Sequence, residues 1–150
     1  MSHLLIDSVR TLMLRDLNKL RQEIEAYSSD EKLWLTQGEI KNSAGNLCLH
    51  LCGNLQHYIG RQLGQSSYVR NRDAEFSTQG LSKEKLLQEI DATLRIVPKT
   101  LDKLDPSILE QQYPENVFNR PMTTGYFLIH LAGHLNYHLG QINYHRRLLI

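Results

Sequence analysis

The chain is short of sulfur, of proline and of surplus charge, and each shortage closes off a class of protein. Two cysteines in 150 residues cannot build the disulfide framework of a small secreted domain. Cys48 and Cys52 stand four apart inside a helical pattern, where free cysteine serves as a small buried apolar residue. The four prolines are scattered, with no linker or low-complexity tract, so residues 1–150 are expected to form one domain. Seventeen Lys+Arg stand against sixteen Asp+Glu, without the basic excess of a nucleic-acid-binding surface. No run approaches the ~20 apolar residues that span a bilayer, and Asp7 and Arg10 interrupt the start, so no apolar signal core forms. A soluble, cytoplasmic protein that binds neither nucleic acid nor membrane is expected.

What the chain has in abundance is helical periodicity. The first helix is expected from Ser2 to Tyr27, with Leu5, Val9, Leu12, Asp16, Leu20 and Ile24 on its inner face. The second starts after the capping residue Ser43, carries Leu47, Leu51, Leu55 and Ile59, and fades near Gly64. The segment from Gly64 to Gly80 is too long for a plain turn and should cross the bundle or serve a site. The third opens at Ser82 and runs through Leu86, Ile90, Leu94 and Val97 until Pro98 kinks or ends it. After a boundary at Asp105–Pro106, the stretch from Tyr113 to Met122 is read as containing a short extended piece. The last helix begins at Thr123 or Thr124 and runs to the C-terminus. Four long amphipathic segments with long connections predict an all-α fold, a four-helix bundle with crossover connections.

Seven histidines are present, and five of them cluster in two helices. His130, His134 and His138 recur every fourth residue, and Gln141 and His145 extend the same stripe. At about 100° per residue the stripe spans only about 80° of helix surface. His50 and His57, seven apart, share a face of the second helix. Histidines four apart can grip one metal ion, and an imidazole from a facing helix completes a three-nitrogen set with a position left open. Imidazole suits both zinc and nickel. His57 and His130 fit either an outer role around such a centre or plain packing. His3 and His145, at helix ends, read as exposed side chains. Cys48 and Cys52 point roughly opposite to His50 on the helix, so they cannot share its metal.

Competing metal chemistries lack their residues. A di-iron carboxylate bundle needs Glu-x-x-His motifs, and a zincin needs His-Glu-x-x-His; neither occurs. No carboxylate is evident beside the histidines. Arg70, Arg72 and Glu75 are read first as surface ion pairs of a loop; the alternative is that the three line the mouth of a pocket and bind an anionic substrate, with Arg70 and Arg72 as the binding residues. Gly45, Gly53 and Gly60 in the second helix, and Gly133 and Gly140 in the last, imply close packing within the bundle or between subunits, because helical glycine costs about 1 kcal/mol relative to alanine.

The segment Asn46-Leu-Cys-Leu-His50-Leu-Cys-Gly-Asn-Leu55 and the tail His130-x-x-x-His134-x-x-x-His138-Leu-Gly140-Gln141-Ile142 resemble the DinB/YfiT-like metalloenzyme superfamily. Asn71-Arg72-Asp73-Ala74-Glu75-Phe76 resembles an uncharacterised branch of it. The resemblance covers nearly the whole chain. It implies a left-handed four-helix bundle, often a homodimer, with one divalent metal ion, zinc or nickel. On this sequence the implied ligands are His50, His134 and His138, while His130 matches a non-ligating position and Gln141 a supporting one. The implied activity is a metal-dependent thiol S-transferase acting on small electrophiles with a low-molecular-weight thiol such as bacillithiol or mycothiol. A metal-dependent hydrolase, with water in the open position and His57 as base, is the alternative enzyme. A non-catalytic, metal-stabilised dimer is the alternative outside enzymes.

Overall fold

A computed structural model of the chain describes residues 3–149. Its helices are α1 (Leu4–Glu25), α2 (Ala44–Leu55), a short α3 (Arg72–Ser77), α4 (Lys83–Asp102) and α5 (Thr124–Leu148), with no strand among the described residues. Ser2, where the first helix was expected to start, lies outside them. Three helix starts are capped by hydroxyls that accept from a backbone N–H two to three residues into the helix. They are Ser43 to Asn46 N, Ser82 to Lys85 N, and Thr123 to Tyr126 N, each at 3.1 Å. Such caps satisfy donors that the first helical turn leaves free.

α1 packs on α4 and α5, and α2 packs on the same two helices. The pairs α1/α2 and α4/α5 therefore occupy the diagonals, and both connections between diagonal helices must cross the bundle. This is the crossover architecture expected from the connection lengths. The first crossover carries a 3-10 turn, Glu31–Trp34. The Trp34 indole N–H donates to the Leu81 carbonyl at 2.9 Å, and its ring lies where a side chain on Gly45 would begin, 2.7 Å from the position of a Cβ. The second crossover is pinched shut where Tyr113 N–H donates to the Met122 carbonyl at 2.8 Å. That antiparallel pinch is all that forms of the extended piece expected from Tyr113 to Met122.

The core runs the length of the bundle: Met13, Leu17, Leu20 and Ile24 of α1, Leu51 and Leu55 of α2, Leu86 and Ile90 of α4, and Phe127, Leu131 and Leu135 of α5, all essentially inaccessible. The inner face of α1 is turned slightly from the expected one, since Leu12 is exposed and Met13 and Leu17 are buried in its place. Pro98 does not end α4, which continues to Asp102. Val97 and Leu101, buried on either side of it, keep that turn packed despite the missing N–H.

Two local features were not expected. α2 passes into a π-helical turn, Gln56–Arg61, of the kind often found near functional sites. The segment after Gly64 contains α3, capped by Asn71 Oδ1 on Ala74 N–H at 3.1 Å. The Asn46 carboxamide on α2 donates to the carbonyls of Glu75 and Thr78 at 2.9 and 2.8 Å. α3 is thereby pinned onto α2 at the level of His50.

Candidate metal centre

Where the middles of α2 and α5 face each other, three imidazoles converge. His50, His134 and His138 each offer a ring nitrogen, and the three nitrogens lie within 4.8 Å of one another. His50 Nε2 faces His134 Nε2 at 3.1 Å. The ring centroids are 5.4 Å apart for His50 and His138, and 4.6 Å for His134 and His138. His50 is only 6% exposed. Helical spacing puts His134 and His138 one above the other on α5, and the crossover topology brings α2 alongside to supply the third ring.

What stands behind the rings sets their chemistry. His50 Nδ1 meets Glu75 Oε1 at 3.0 Å. Arg70 holds the same carboxylate with two hydrogen bonds, Nε to Oε2 at 2.9 Å and Nη2 to Oε1 at 3.0 Å. Burial pushes the Glu75 carboxyl up, but the hydrogen bonds from His50 and Arg70, with the Arg70 charge, outweigh it and hold it below its usual range. An ionised carboxylate only accepts, so His50 carries a proton on Nδ1, the tautomer whose Nε2 faces the cluster as the metal-binding atom. His138 is arranged likewise, with Nδ1 2.6 Å from Gln141 Oε1.

His134 completes the set in another way. Its Nδ1 is buried with no partner. Burial, then the neighbouring rings of His138, His50 and His130, drive its pKa down to about 3. His138 is also lowered, by burial first and against the Gln141 hydrogen bond. Both rings are therefore neutral at ordinary pH, the form that binds metal. Lone pairs brought this close repel unless a proton or a cation lies between them. The donor set thus fits a divalent ion, with three imidazole nitrogens and no carboxylate ligand, the composition of open three-histidine sites.

The remaining candidates fall outside the cluster. His130 stacks on Phe127, centroids 5.7 Å apart and planes at 9°. His57 lies about 10 Å along the helix from His50, in the π-turn, with Nε2 2.7 Å from Glu115 Oε1. Gln62 donates to the same oxygen. Arg72 lies at the mouth of a cavity beside the imidazoles, its guanidinium 5.4 Å from the Phe76 ring centroid.

Three expectations are corrected. Arg70 and Glu75 are not surface partners: their side chains are 9% and 6% exposed, and they form the wall behind His50. The histidines therefore do have a carboxylate beside them, contributed by α3 rather than by the helices that bear them. His145 is buried, with Nδ1 2.7 Å from the Tyr27 hydroxyl and Nε2 donating to the Leu35 carbonyl at 2.8 Å.

The contact of Glu75 with His50 is not evident in the sequence because the two sit 25 residues apart. The available signal was Gly53, one turn beyond His50 on the same side of α2. A Cβ there would lie 1.9 Å from Glu75 Oε2, so glycine clears the space that the carboxylate fills. Gly60 is likewise close to Ile96, but Gly133 and Gly140 have nothing within 4 Å; no close packing within the described chain accounts for them.

Comparison with known proteins agrees with the fold. Residues 2–150 match the family described as "Protein of unknown function (DUF1572)". No curated protein matches the chain. Among solved structures, a DinB-like protein from Bacillus cereus ATCC 10987 superposes with a TM-score of 0.69 at 17% identity, over 88% of this chain and 84% of that one. A conserved protein from Enterococcus faecalis gives 0.75 at 15% identity, over 95% of each chain.

Proposed function

The chain belongs to the DUF1572 family and has the fold of DinB-like proteins, and on that footing we propose that it is a metal-dependent thiol S-transferase using one divalent ion, zinc or nickel. The observation that carries this reading is the convergence of three imidazole nitrogens within 4.8 Å, two of them with Nδ1 already engaged by Glu75 and Gln141.

A divalent ion held by three neutral ligands would keep its full charge and favour the thiolate form of an incoming thiol, the nucleophilic form. The protein's part is to present the nitrogens unprotonated and aimed. Glu75 and Arg70 fix the ring of His50, Gln141 fixes His138, and burial keeps His134 neutral. Such outer contacts orient a ligand and raise its basicity. The chain supplies no thiol of its own here. Cys48 and Cys52 are buried, and Cys48 is held well above its usual range by its contact with Cys52 and by burial. The thiol must come from a cosubstrate, and the transfer joins its sulfur to an electrophilic carbon while the leaving group departs.

Elemental analysis of the purified protein should find one zinc or nickel per chain. The loaded protein should then conjugate bacillithiol, mycothiol, glutathione or coenzyme A to members of a panel of small electrophiles. Metal present with no conjugation by any of these thiols would sink the transferase reading but leave the metal centre. An esterase and amidase panel then tests the hydrolytic alternative.

A further inference from the structure

A cavity of about 190 Å³ opens beside His50 and His134, smaller than the ~300–1,000 Å³ of sites that take drug-sized ligands. One side is apolar, made by Val117, Phe118, Phe127 and Leu131. The polar side has two groups with unmet capacity. Asn54 lies one turn after His50 on α2, is 6% exposed, and its buried side-chain oxygen has no hydrogen-bond partner. Leaving such an acceptor unpaired costs about 1–3 kcal/mol. Arg72, exposed at the mouth, makes no ion pair among the described residues, and its guanidinium is held against the Phe76 ring.

Charge on this lining is one-sided. No Asp or Glu contributes to it. Glu75, behind His50, has both oxygens taken by Arg70 and His50, and Glu115, whose charge reaches the lining residue Tyr58, is engaged by His57 and Gln62, so Arg70 is already neutralised and Arg72 is not. A cation in the three-histidine site would add positive charge without any compensating ligand. A low-dielectric cleft with one sign of charge concentrates ligands of the other sign.

We propose that this cavity binds a small organic acid with an apolar or aromatic body. Its anionic group pairs with Arg72, its body lies against Phe118 and Phe127, an N–H or O–H donates to Asn54 Oδ1, and its reactive end faces the imidazoles. Arg72 is thus a specificity residue and Arg70 a structural one, although the two are neighbours of the same type. The inference rests on the proposed metal-dependent activity for its purpose, but the binding it describes does not require the metal.

Hippurate carries all three features: a phenyl ring, an amide N–H and a carboxylate. It should be titrated calorimetrically into the full chain, with and without zinc, against its neutral methyl ester. Binding is expected in both metal states, about tenfold or more stronger for the acid than for the ester, the contrast of a charge-assisted pair against a neutral contact. Arg72→Gln should abolish that preference while leaving zinc stoichiometry and melting temperature unchanged, because the side chain is exposed. Asn54→Leu should weaken both compounds. Equal binding of acid and ester, an unchanged preference in Arg72→Gln, or no binding of hippurate below about 10 mM would overturn the inference. Acid preference without zinc binding would instead overturn the metal reading and leave this one standing.

Discussion

His134 and His145 sit on the same stripe of the same helix, eleven residues apart, and do opposite things. His145 is closed: it is 3% exposed, one nitrogen meets the Tyr27 hydroxyl and the other donates to the Leu35 carbonyl. It ties α5 to two points of the first crossover, Tyr27 just past the end of α1 and Leu35 after the 3-10 turn. His134 is open: one nitrogen is buried without a partner, the other faces a second imidazole nitrogen, and burial drives its pKa down to about 3. Periodicity cannot separate them, because both lie within the same 80° of helix surface by the helical repeat. Hydrogen-bond accounting can. A buried polar group with every position filled is structural, and one with positions to spare awaits something.

The contrast can be broken most sharply by truncation. His134→Ala should cut zinc affinity by more than about 100-fold, beyond the range seen for outer contacts, as measured by competition with a chromophoric chelator. His145→Ala should leave affinity and stoichiometry as they are. Next in size is Glu75→Gln, which keeps the shape behind His50 but removes the acceptor that fixes its tautomer. Zinc affinity should fall about 10–100-fold, and an unchanged value would remove Glu75 from the metal centre.

His145→Ala should act on stability instead. It deprives the Leu35 carbonyl of a buried donor and the Tyr27 hydroxyl of a buried partner, and should cost about 2 kcal/mol in denaturant unfolding of the metal-free chain. The smallest effect is expected at Gly133, immediately before His134, where a Cβ meets nothing within 4 Å. Gly133→Ala should stabilise the chain by about 0.4–1 kcal/mol. A fall in melting temperature would instead indicate that a second copy packs on this face, which also exposes Tyr137 and Tyr144.

The four long helices were legible because each buries an apolar stripe at helical spacing and each of three opens on a hydroxyl cap. Within the histidine cluster, the pair His134 and His138 was legible because the two lie one turn apart and local geometry alone puts them together, whereas His50 was singled out over His57 by the family resemblance. Glu75 was not legible, since its place depends on α3 being pinned to α2 by Asn46, a tertiary contact with no period. The burial of His145 was missed for the same reason: Tyr27 and Leu35 reach it only once the first crossover has wrapped the bundle. The π-turn at Gln56–Arg61 has no local composition signal, and it begins one residue before His57, just where the shared face of α2 was extrapolated.

The pairing of α2 with α5 has a consequence for how the chain folds and fails. His50 and His134 are 84 residues apart in sequence, so the complete nitrogen set exists only after the second crossover, which lies between them, has closed. In the unfolded chain an ion finds at best the local pair His134 and His138. Tight binding therefore rewards the closed pairing of α2 with α5, and the entropy of closing so long a loop must already have been met. Loss of metal should track global unfolding rather than fraying of either terminus. In hydrogen exchange, the amides of α2 and of the middle of α5 should accordingly slow together when zinc is added.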